Sequence, residues 1–96
     1  MAGDSAPSRE LIAKSIEMVE RELPEVWSRV KDYELGKRAT MTRPEYYELW
    51  RPIATLLYNA EVCEKNASKL SFLEVHMRFE LRRRLGLLDF GMSPRD

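Results

Sequence analysis

A chain of 96 residues is one domain with room for a single modest core. Its 16 basic and 16 acidic residues cancel, which removes the long-range attraction that a dedicated nucleic-acid binder displays and leaves only local contacts of that kind. The lone Cys63 excludes an intrachain disulfide and, set in an apolar helical pattern, reads as a buried thiol of a reducing compartment.

Residues 1–6 and 93–96 are small and polar, so short frayed ends are expected on a single helical domain covering 1–96. The start has no apolar signal core, and no apolar run approaches the roughly 20 residues that span a bilayer. A soluble, cytoplasmic protein without membrane contact is the expectation. The first helix should begin near Pro7 or Ser8. Its stripe of Ile12, Ile16, Val19 and Leu23 keeps the spacing of a core-facing surface, with Lys14, Glu17, Glu20 and Arg21 toward water. Pro24 ends this helix and suits the first turn of the next. That second helix runs to about Leu35, buries Val26, Val30 and Tyr33 with Trp27 beside them, and stops at Gly36.

The connector 37–41 is short and basic. Two start signals follow, Met41-Thr42-Glu45-Tyr46 and Leu70-Ser71-Glu74-Val75, each pairing a capping box with an apolar staple. The helix opened by Thr42 contains Pro52, yet Tyr46, Trp50, Ile53, Leu57 and Ala60 hold one phase through it, so a kink is expected rather than a break. Tyr47, Leu49, Ala54, Leu56, Tyr58 and Cys63 widen its apolar arc, which suggests the central helix of the bundle. The last helix should stop at Gly86, with Leu87, Leu88 and Phe90 docking back. Nothing alternates with a period of two. The fold class is therefore all-α, a small bundle of four helices with the third kinked at Pro52.

Within the last helix, Phe72, Val75 and Phe79 make one stripe and Leu73, Met77 and Leu81 another. A self-sufficient surface helix needs only one. The second stripe wants a partner, taken here as Leu73, Met77 and Leu81, which Leu87, Leu88 and Phe90 either cover or join. The partner would be another protein subunit or, most simply, a second copy in a homodimer. The arginines Arg78, Arg82, Arg83 and Arg84 form a cluster that suits the helix C-terminus or, as the alternative reading, contacts nucleic-acid phosphate, extended by Lys37, Arg38 and Arg43.

Catalytic signals are thin. His76 and Glu80 share a helical face and could form a proton-transfer pair, although an interhelical hydrogen bond or a partly exposed ring is the commoner meaning of that spacing. Glu61 and Glu64, taken as near the end of the third helix, ask for cations, with Arg82, Arg83 and Lys65 as candidates inside the chain and a basic partner groove as the other choice. Neither a metal ligand set nor a cofactor motif is present, and Cys63 has no nearby histidine. Trp27, Trp50, Tyr46, Tyr47 and Tyr58 follow helical spacing and read as core first and contact residues second. No enzyme is expected.

The segment Leu23-Pro24-Glu25-Val26-Trp27-Ser28-Arg29-Val30-Lys31-Asp32-Tyr33, followed later by an arginine-rich amphipathic helix, resembles part of the helical domain of archaeal GINS-type replication subunits. The resemblance implies an accessory subunit that binds other replication proteins. The small β-rich second domain usual in such subunits has no counterpart in this sequence. Absence of Gln and only two Asn match the compositional drift of hyperthermophile proteins. Together these features lead to a non-enzymatic interaction subunit of a larger cytoplasmic complex.

Overall fold

The computed structural model describes residues 6–36 and 41–87. Four helices follow in order: α1 Arg9–Glu22, α2 Pro24–Glu34, α3 Arg43–Asn59 and α4 Ala67–Arg84. They pack as an all-α bundle in which α1 and α3 each touch the other three helices. No helix among the described residues is long and apolar enough to cross a membrane.

Each start has an identifiable chemical cause. The Ser8 hydroxyl accepts the Leu11 amide at 3.0 Å and caps α1. Inside α1, the buried Ser15 hydroxyl donates to the Leu11 carbonyl at 2.8 Å, so burying it leaves no unmet donor. Leu23 closes α1 by donating to the Val19 carbonyl, and Pro24 opens α2 at once because a first-turn residue needs no amide. The capping box of α3 is complete: Thr42 accepts the Glu45 amide at 3.3 Å and the Glu45 carboxylate accepts the Thr42 amide at 2.8 Å. Met41 and Tyr46, the two staple residues, are both buried. The helix continues through the exposed Pro52 with only a minor kink.

The second expected start is displaced. The cap of α4 is Asn66, whose side-chain oxygen accepts the Lys69 amide at 3.1 Å, and Ser71 lies within the helix. Asn caps as well as Ser. The earlier cap adds a turn to α4 and brings Leu70 onto its inner side.

Ile16, Val19, Trp27, Val30, Tyr33, Tyr46, Trp50, Ile53 and Leu57 form the core with the inner residues of α4. The Trp27 and Trp50 rings meet edge to face at 6.0 Å, and Tyr33 stacks on Tyr46 at 4.0 Å. As expected of a central helix, α3 packs on all three others, but its wide apolar arc is covered only in part: Tyr47 and Tyr58 face outward, and Ala60 lies past the helix end, exposed.

Helices α3 and α4 end in the same backbone motif. After α4, the Gly86 amide donates to Arg83 and the Leu87 amide to Arg82, and Gly86 takes φ +74°. After α3, Glu61 donates to Tyr58 and Val62 to Leu57, with Glu61 at φ +57° where glycine is the usual occupant. Glu64 and Lys65 also take left-handed φ in the turn that follows, and Cys63, between Glu61 and Glu64 in the chain, is buried.

Candidate partner-binding face

Both stripes of α4 exist, with their roles exchanged. Leu73, Met77 and Leu81 are 1%, 0% and 3% exposed and belong to the core. They cannot serve as the contact stripe expected of them. Leu70 and Leu85 extend this inner side at both ends, giving it five apolar residues along the whole helix against three on the other side. The longer row removes more apolar surface from water and takes the core.

Phe72, Val75 and Phe79 are left outside at 42%, 46% and 39% exposure. Their spacing of three and four puts them on one face. The His76 ring joins them, edge-on to Phe72 at 4.9 Å and to Phe79 at 6.3 Å. His76 is the partly exposed ring that its spacing favoured, and no proton-transfer pair with Glu80 forms, because Glu80 is occupied elsewhere. Arg83 Nη2 donates to it at 2.7 Å and Arg84 Nε at 2.9 Å. The bond from Arg83, ahead of that from Arg84, holds the Glu80 carboxyl below its usual range although burial opposes this. Leu87 is exposed rather than docked back. Leu88 and Phe90 lie outside the described residues.

The other half of the arginine cluster points inward to Glu34, whose side chain is 0% exposed. Arg78 Nε donates to one carboxylate oxygen at 3.1 Å and Arg82 Nη1 to the other at 2.8 Å, with the Tyr46 hydroxyl donating as well. The guanidinium of Arg78 also lies over the Tyr46 ring, 5.5 Å from its centre. Burial, and then the bond to Glu34, push the Tyr46 hydroxyl well above its ordinary pKa. A buried carboxylate facing two guanidiniums thus joins the end of α2 to the second half of α4. Glu34 falls on the buried phase of Trp27 and Val30, seven and four residues after them, a spacing visible in the sequence.

The four arginines of the α4 cluster, the centre of the expected phosphate patch, therefore all have carboxylate partners inside the chain. Arg43 is exposed in the first turn of α3, while Lys37 and Arg38 lie outside the described residues. Glu61 and Glu64 are not on α3 but in the turn beyond it, and their cations are local: Lys65 for Glu61 at 3.7 Å, Lys69 for Glu64 at 2.7 Å. The bond from Lys69 holds the Glu64 carboxyl below its usual range. No group of three or more His, Cys, Asp or Glu among the described residues could hold a metal ion.

No family model, curated protein or solved structure matches the chain. Among the described residues, the feature with most capacity to act on another molecule is the outer face of α4.

Proposed function

We propose that the protein is a non-enzymatic helical interaction module, a subunit of a larger cytoplasmic complex, and that it holds its partner through Phe72, Val75, His76 and Phe79. The observation that carries this reading is three large apolar side chains, 39–46% exposed, aligned on a helix whose opposite side fills the core. Aromatic and branched anchors on one helical face bind by entering an apolar groove or by pairing with another helix. The resemblance of Leu23–Tyr33 adds a setting to this proposal, an archaeal DNA-replication assembly.

The alternative, a nucleic-acid module using Arg78, Arg82, Arg83 and Arg84, has less support, since phosphate would have to compete with Glu34 and Glu80 for guanidiniums already bound. An enzymatic reading needs His76, Cys63, Glu61 and Glu64 to cooperate. Yet His76 lies between phenylalanines, Cys63 is buried, and the two glutamates bind different lysines.

Capture from native lysate on the intact chain, compared with the doubly substituted Phe72→Ser/Phe79→Ser chain, tests the proposal. The expected result is loss of the captured partner with the helical circular dichroism unchanged. Equal capture by both chains would refute the assignment of this face.

A further inference from the structure

Helix α4 carries two carboxylates, and the fold employs only one of them. Glu80 binds Arg83 and Arg84. Glu74 is partly buried, yet among the described residues it has neither a hydrogen bond nor an ion pair. The cations nearest to it along the helix are engaged elsewhere, Lys69 with Glu64 and Arg78 with Glu34. Burial pushes the Glu74 carboxyl above its usual range, and no opposite charge offsets that. The ionised group therefore works against the fold. A carboxylate so placed gains when a molecule outside the chain supplies the cation.

Its place on the helix relates this charge to the outer face. Glu74 opens the row Glu74, Arg78, Arg82, and Arg78 crosses the Tyr46 ring, so the row borders α3. Val75 is the next residue and projects about a third of the way round the helix from it. Phe72 and Phe79 stand about 10 Å apart along the axis, with Glu74 between them in level. A ridge of this kind packs against a second helix. A lysine or arginine at the edge of that helix lays its stem along Val75 and its head against Glu74.

We infer that the partner of the α4 outer face is an amphipathic helix of another protein that carries a lysine or arginine beside its apolar row and pairs it with Glu74. This rests on the interaction-face reading above and specifies the partner's chemistry. Phe72, Val75 and Phe79 accept many apolar faces, and the carboxylate selects the basic ones among them.

Selection of a displayed library of random peptides, about 18 residues long so that a helix can form, on the immobilised full chain is the test. Binders that fail on the Phe72→Ser/Phe79→Ser chain are expected to share apolar residues at helical spacing and an adjacent lysine or arginine. Their affinity should fall about tenfold on Glu74→Gln, and Glu74→Lys should select acidic peptides from the same library. Glu74→Gln should melt no lower than the native chain, because the lost charge serves nothing in the monomer. A lower melting temperature would give Glu74 an internal role and overturn the inference. Neutral or acidic binders on the native chain, or equal affinity for native and Glu74→Gln chains, would overturn the pairing and leave the face intact. A library yielding no binder that depends on Phe72 and Phe79 would overturn the face reading as well. Sedimentation equilibrium showing a native dimer that Glu74→Gln dissolves would give the site to a second copy and overturn the foreign helix.

Discussion

The two sides of α4 carry side chains of similar size and apolarity, yet one is sealed and the other is wet. Leu73, Met77 and Leu81 lie in the core, and Phe72, Val75 and Phe79 stand in solvent. Hydropathy alone does not rank them. Two other features settle the rotation of the helix. The inner row continues to Leu70 and Leu85 over the full length of α4, and the neighbouring row holds Arg78 and Arg82, which must reach the carboxylate of Glu34. Turning the helix so that the phenylalanines faced inward would carry His76 and Arg83 toward the apolar centre, and each buried charge lacking a partner costs several kcal/mol. The lesson is that polar residues flanking a stripe can decide which stripe is buried.

Removing the clamp is the strongest way to break this contrast. Glu34→Gln leaves two guanidiniums facing a neutral amide, and a loss of about 3 kcal/mol is expected. Arg82, 13% exposed, should account for more of that loss than Arg78 at 32%. Urea unfolding of Glu34→Gln, Arg78→Met and Arg82→Met measures both the size and the division. A loss under about 0.5 kcal/mol for Glu34→Gln would show that the clamp does not hold the rotation of α4.

Truncation on each side sharpens the same contrast. Leu81→Ala opens a cavity in the packed interior and should cost about 2–4 kcal/mol, whereas Phe79→Ala, already in water, should cost less than about 1 kcal/mol. Measurement at low protein concentration keeps any dimer from adding to the second value. Equal losses would mean that the outer side is covered within the monomer.

The smallest effect concerns the ends of α3 and α4, which share a backbone motif with different residues at its left-handed position. At Gly86 a Cβ would meet nothing within 4 Å, so φ alone asks for glycine there. At Glu61 the same conformation is held by a residue with a Cβ. Glu61→Gly should therefore stabilise the fold by about 0.5–1 kcal/mol, less what the exposed pair with Lys65 contributes. Thermal unfolding reads this as a rise of a few degrees. A fall instead would assign the Lys65 pair more weight than the strain.

Much of the fold was legible in the sequence because the signals were local. Pro24, the Thr42 capping box, Gly36 and Gly86 each act on the backbone within a turn or two, and each placed a helix end correctly. The start of α4 was missed because Ser71 with Glu74 satisfies the same pattern as a true cap, while Asn66 offers a cap one turn earlier. The site was half legible. That α4 has one apolar row too many follows from 100° per residue, but which row remains outside depends on Glu34, 44 residues before Arg78 in sequence, and no periodicity reaches that far.

The turn between α3 and α4 contains the one cysteine of the chain, enclosed while Glu61, Glu64 and Lys65 around it take left-handed φ. Alkylating reagents reach that sulfur only when the turn opens, so the rate at which it is labelled in the folded protein is a built-in clock for the fluctuation of this one segment.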